Sequence, residues 1–169
     1  MVDEFWDSPS SDLRLQSVAL RSGVTVQTIL RQFGNKENLI FEAAKFEGQR
    51  IRSSRDAKSV TSVESAVHQL VVHYEEMGDR VLRMLAEEFR LGSLVQVIVA
   101  GRKIHRAWCR EVFADTLNSL PTPARKIRLA QLVAVCDVYT WKVLRRDCGL
   151  SSQATERALV ELLKPLGKV

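Results

Sequence analysis

An all-α fold, with a small N-terminal helix-turn-helix part followed by a larger helical bundle, is what this 169-residue sequence predicts. Three observations carry the expectation. Apolar residues recur at steps of three and four from Asp12 onward, and no segment alternates apolar with polar residues for long enough to make a strand. Cap and stop residues also punctuate the periodic runs at helical lengths.

Taken in order, Leu13 to Arg21 reads as a first helix, Ser22-Gly23-Val24 as a turn, and Thr25 to Phe33 as a second helix. Ala19 is small where the two would cross, Val18 and Val24 stand at the inner corner, and Ile29 and Phe33 are four apart on the inner face. Asn35 can cap the third helix, with Lys36 in its first turn. The polar stretch RSSRDAKSVT, residues 52–61, marks a boundary and gives domains 1–53 and 54–169. Beyond it, Thr61 and Glu64 have capping-box spacing, and Val63, Val67, Leu70, Tyr74 and Met77 follow on one face until Gly78 stops the helix. Asp79 then caps a helix carrying Leu82, Leu85 and Phe89, which Gly92 ends.

A long helix is expected from Ser93 to Leu120, with Ile104, Trp108, Val112, Phe113, Leu117 and Leu120 on one side. Thr122 and Pro123 open a second long helix that reaches Arg146 before Gly149. Its middle, LAQLVAVCDVYTWKVL, is apolar nearly all round, so one side should meet its own core and another a partner subunit. That expectation places Leu132, Val133, Cys136 and Leu159 at a homodimer contact. Ser151 or Ser152 caps a last helix, with Leu159, Leu162 and Leu163 on its apolar face.

Composition narrows the class. Hydrophobic residues at 46% and charged residues at 27% are those of a globular protein and disfavour disordered or fibrous chains. The net charge of +5 permits a nucleic-acid partner, although many proteins of that charge bind none. The segment Asp12 to Arg55 holds eight basic residues against four acidic, so positive charge is denser there than in the remainder taken as a whole. Cys109, Cys136 and Cys148 form no C-x-x-C pair, so reduced thiols are expected rather than a disulfide framework or a zinc site. His68 and His73 stand five apart, off a common helix face, and nothing completes a ligand set with His105; no metal and no cofactor are expected. The longest apolar run, Leu94 to Gly101, is short of a membrane span, and Asp3, Glu4 and Asp7 have the wrong sign for a signal peptide, so a cytoplasmic protein is expected. No nucleophile–base pair, carboxylate pair or Gly-rich phosphate loop is visible, and the chain is not expected to be an enzyme.

In a helix-turn-helix the second helix lies in the major groove. Its outward side here carries Val26, Gln27, Thr28, Arg31 and Gln32. Gln suits adenine, Arg suits guanine, and Thr and Val suit the thymine methyl. Lys36, beside the free N–H groups of a helix start, suits a phosphate. Spacing alone leaves this reading and a plain pair of capped helices both open.

The run VALRSGVTVQTILRQFGNKENLIFEAA resembles the second to fourth helices of TetR-type transcriptional regulators, with Ala19, Gly23, Val24, Thr28, Phe33, Lys36, Glu37 and Leu39 in register. VYTWKVLRRDCGLSSQATERALVELL resembles their last two helices. The resemblance implies an N-terminal DNA-binding part, a ligand-sensing helical part, and a homodimer joined through the last two long helices. It places DNA contacts on Gln16, Val26, Gln27, Thr28, Leu30, Arg31, Gln32 and Lys36, with Leu30 standing where the family has an aromatic. The function implied is a ligand-responsive repressor that binds a double-stranded operator as a homodimer and answers to a small-molecule effector. The alternative is a dimeric helical ligand-binding or interaction module that no longer binds DNA specifically.

Bulky inward residues are the nominees for the effector pocket: Tyr74, Phe89, Trp108, Phe113 and Trp141. Each also suits a plain core role. Asp137, within an apolar run, suits either a ligand or an Arg across the dimer. Arg145 and Arg146 read as favourable charges at a helix C-terminus. Family members begin with a further helix that covers the helix-turn-helix pair, whereas MVDEFWDSPSS supplies at most about two turns. Val18, Ile29 and Phe33 are therefore expected to lose a covering layer.

Overall fold

The computed structural model describes residues 14–89 and 92–169, and among these it is all-helical, with no strand. The elements are α1 (Leu15–Ser22), α2 (Val26–Phe33), α3 (Lys36–Ser54), a 3₁₀ turn (Ala57–Ser59), α4 (Val63–Ala86), α5 (Gly92–Val112), α6 (Ala114–Asn118), α7 (Thr122–Val135), α8 (Val138–Lys142) continuing into a π turn (Val143–Asp147), and α9 (Ser152–Leu163). No helix among the described residues is long and apolar enough to cross a membrane.

The chain divides into two compact units. The first comprises Met1–Ile51 with Arg80–Gly101, and the second Arg52–Asp79 with Arg102–Val169. The sequence boundary after residue 53 falls within two residues of the first crossover, but residues 80–101, expected in the second domain, belong to the first unit. The reason lies in its core. Val18, Ala19, Ile29, Leu39, Ile40 and Ala44 cluster with Leu94 and Ile98 of α5, and Leu15, Val26, Phe33, Met84, Leu85 and Val97 pack around them. The covering layer expected to be missing over Val18 and Ile29 is thus supplied in part by α5, and both side chains are buried.

Local chemistry sets the element ends. Gly23 takes φ 66°, a left-handed conformation that costs glycine little, and Val24 N–H returns to the Ala19 carbonyl to close α1. The Thr25 hydroxyl accepts from Thr28 N–H to cap α2, the Asn35 side chain accepts from Asn38 N–H to cap α3, and Ser151 accepts from Ala154 N–H to cap α9. The α4 cap differs from the one expected. Ser62 accepts from Ser65 N–H while Ser65 Oγ accepts from Ser62 N–H, so the reciprocal box sits one residue beyond Thr61 and does not use Glu64.

Three helix boundaries also differ. Gly78 does not stop α4; it lies within the helix, and the Trp141 ring packs where its side chain would be. The helix expected from Ser93 to Leu120 is interrupted at Phe113, which leaves helical geometry at φ −103°, ψ 30° with its ring fully buried. The helix expected to run to Arg146 breaks at Cys136 and Asp137. There the Asp137 carboxylate accepts from Tyr139 N–H and starts α8 anew, while the Thr140 hydroxyl donates to the Ala134 carbonyl, which also accepts from Asp137 N–H.

Candidate functional site

Two regions hold the sequence-predicted site residues, one in each unit. In the first unit, α2 is held by one buried residue, Ile29, with Val26 and Phe33 half-buried against the same cluster. Val26 is therefore a packing residue, and the outward side reduces to Gln27, Leu30, Arg31 and Gln32, all exposed, joined by exposed Gln16 on α1. Thr28 is half-buried and its hydroxyl lies 3.0 Å from that of Thr25, which fixes its rotamer at the start of α2. Lys36 is half-buried in the first turn of α3, next to the capping Asn35. A turn of glycine geometry and a capped, short helix thus present an amide, a guanidinium and a second amide to solvent from a single element.

In the second unit the core is unexpectedly polar. Arg55, in the stretch taken for a linker, lays its guanidinium 4.5 Å from the Trp108 ring centroid and 5.8 Å from that of Tyr74. Such stacking is worth roughly 0.5 to 2 kcal/mol, more as water is excluded. Its Nη2 donates to His105 Nδ1 at 3.3 Å, and its Nε finds no acceptor among the described residues. A guanidinium only donates, so Nδ1 is the acceptor and Nε2 carries the imidazole proton, which goes to the Val133 carbonyl at 3.1 Å.

The surrounding side chains satisfy one another. Trp108 Nε1 donates to Gln69 Oε1, Tyr74 Oη donates to the Cys136 carbonyl at 2.9 Å, and Trp141 Nε1 donates to Glu75, which also receives Arg145. Burial pushes the Tyr74 hydroxyl up in pKa. His73 is buried beside the Tyr74 ring, and burial, reinforced by the charge of Arg55, pushes it down to about 3. It is a neutral core histidine, while His68 is exposed and pairs with Glu156. Among the described residues no group of three or more His, Cys, Asp or Glu is arranged to hold a metal ion.

Four of the five pocket nominees, Tyr74, Trp108, Phe113 and Trp141, are buried in this unit. Phe89 is not among them. It lies past the end of α4 in the first unit and is 96% exposed, because the helix expected to aim it inward does not form there. The dimer nominees need a like correction. Leu132, Cys136 and Leu159 are at most 2% exposed within a single chain, so they are core residues, and Val133 is half-buried. The break at Cys136 replaces the single long helix with α7, which buries Leu129 and Leu132, and the short α8, which buries Val138 and Trp141. The large apolar side chains exposed from α7 to α9 are Ile127, Tyr139, Val143 and Leu162.

Asp137 caps α8 and lies 4.0 Å from His105 Nε2, so its neighbour is a histidine of its own chain. Arg145 and Arg146 do more than face a helix end: they pair with Glu75 and Asp79 on α4, and Arg146 lies over the Trp141 ring. Sequence reasoning missed Arg55, Gln69, Glu75 and His105. The composition of the 52–61 stretch hid the first, and contacts distant in sequence define the others. No family model, curated protein or solved structure matches the chain.

Proposed function

We propose that the protein is a ligand-responsive DNA-binding transcriptional regulator, a repressor that acts in the cytoplasm as a homodimer. The observation that carries this reading is α2, whose exposed side groups Gln27, Arg31 and Gln32 on a helix entered through Gly23 and Thr25. Amide and guanidinium groups of that kind read purine edges in the major groove, and a helix of eight residues is about the length that fits there. Gln16 and Lys36 flank it at the ends of neighbouring helices, where side chains meet phosphates. The density of positive charge between Asp12 and Arg55 supports the same partner.

The effector belongs with the aromatic and polar core of the second unit, around Arg55, Tyr74, Trp108 and Trp141. The homodimer belongs with the surface of α7 to α9, through Ile127, Tyr139, Val143 and Leu162 in place of the buried residues first nominated. Selection of bound duplexes from a randomised library tests the function. Enrichment of a pseudo-palindrome whose half-sites stand about one helical turn or a multiple apart is the expected outcome. A bound pool without enriched sequence, or no retention at low salt, would overturn it and leave a helical interaction module.

A further inference from the structure

We propose that the cleft between the starts of α3 and α5 is a binding site for a neutral polyhydroxylated ligand of the size of one sugar ring. The site lies wholly in the first unit, shares no residue with the effector region of the second, and stands whether or not the protein binds DNA.

Six residues line the cleft. Asn35, Asn38 and Phe41 follow at steps of three, with Glu37 four before Phe41, so one side of the first turns of α3 carries them all. Gly92 and Gln96, also four apart, line it from α5. Leu39 and Ile40 of α3 share the core of this unit with Leu94 and Ile98 of α5, which fixes the two helices against each other. The cleft is open to solvent and holds about 350 Å³, at the lower end of the roughly 300 to 1,000 Å³ of small-molecule sites.

Its polar groups are set in place before any ligand arrives. Asn35 Oδ1 accepts from Asn38 N–H at 2.8 Å, and Asn38 Nδ2 donates to the Phe33 carbonyl at 2.8 Å, so the cap that starts α3 orients both carboxamides. The Asn35 amide nitrogen and the Asn38 amide oxygen take no part in those bonds. Glu37 and Gln96 are exposed and enter no hydrogen bond or ion pair among the described residues. Phe41 is half-buried, yet it is not one of the side chains packed around the core as Phe33 is, and its ring borders the cleft instead.

Charge selects the class of ligand. Among the described residues lining the cleft Glu37 alone is charged, and without a Lys or Arg beside it the carboxylate opposes a phosphate or another carboxylate. The N-terminal poles of α3 and α5 oppose a cation. What remains is a set of donors on Asn35 and Gln96 beside acceptors on Asn38, Glu37 and Gln96. A hydroxyl both donates and accepts, so several of them on one ring match that set. The positive C–H edges of such a ring suit the negative face of Phe41.

The experiment adds D-glucose, D-galactose or D-mannose to the isotope-labelled full chain and follows the side-chain amide signals of Asn35, Asn38 and Gln96 by NMR, with sodium sulfate and putrescine as charged comparisons. At least one hexose is expected to shift these signals saturably, and neither charged compound should. Gln96→Ala should weaken that binding by roughly tenfold, the equivalent of two hydrogen bonds, and Phe41→Leu should weaken it while keeping an apolar side chain in place. Gln96 is exposed, so its replacement leaves the core of the unit intact. The absence of a saturable shift with all three hexoses would overturn the proposal, as would a titration unchanged in Gln96→Ala, or saturation by sulfate or putrescine in their place.

Discussion

Gly78→Ala tests the packing of the second unit through a change of one methyl. In an open helix this substitution stabilises by about 1 kcal/mol, since glycine loses more backbone freedom than alanine. Here an added Cβ would stand 2.5 Å from Cζ3, 2.7 Å from Cη2 and 3.0 Å from Cε3 of Trp141. Ordinary carbon contacts are about 3.5 to 4 Å, so the ring has to retreat by roughly 1 Å. It has little room to do so. Trp141 is fully buried, its Nε1 is tied to Glu75 at 3.2 Å, Tyr74 lies at 5.8 Å and the Arg146 guanidinium at 4.5 Å from its ring. Overpacking of this kind costs about 1 to 3 kcal/mol, so once the helix-propensity gain is subtracted the net effect is a destabilisation of up to about 2 kcal/mol. Urea unfolding should show a lower midpoint at unchanged slope. Trp141→Phe removes part of the obstructing ring, and the double variant should be more stable than the two single losses predict, by about 1 kcal/mol of coupling. A higher midpoint for Gly78→Ala would refute the reasoning, because the ring could not then lie against α4.

Three further outcomes follow, two from the same core and one from the cap of α2. His73 is held neutral to about pH 3, below its ordinary value of 6.5, so the unfolded chain binds a proton that the native one refuses. Its stabilising contribution is present above pH 6.5 and falls by about 2 kcal/mol on going to pH 5; His73→Gln should flatten that part of a stability–pH curve, and parallel curves for the two proteins would contradict the assignment. Arg55→Lys keeps the charge but loses the planar stack, which should cost about 1 kcal/mol and shift Trp108 fluorescence, whereas an unchanged spectrum would deny the contact. Thr25→Ala should lower the stability of the first unit by about 1 kcal/mol through loss of the α2 cap, read as faster amide exchange over residues 26–33.

Much of the helix punctuation was legible because it is local. Thr25, Asn35 and Ser151 cap within three residues of themselves, and Gly23 ends α1 by its own φ. The breaks at Phe113 and at Cys136 were not legible, since neither holds a proline or glycine; burial of Phe113 and the capping carboxylate of Asp137 decide them. Gly78 misled for the converse reason, a residue with the propensity of a stop being used to admit an aromatic ring from more than sixty positions away. The helix-turn-helix candidates were legible from their period, apart from Val26, which a single register position moves from the outward side to the packed one. The polar core of the second unit was not, because Arg55, Gln69, His105 and Cys136 lie on four different segments and meet only in the folded chain.

The central claim, that α2 reads DNA, is most directly tested by anisotropy titrations of a selected duplex and single-base variants of it against the native protein, Arg31→Ala and Lys36→Ala at several salt concentrations. The account predicts that Arg31→Ala relaxes discrimination at one position of each half-site by about 1 to 3 kcal/mol, while Lys36→Ala weakens all duplexes alike and lowers the salt slope by about one per subunit. Identical binding of every duplex by all three proteins would contradict it.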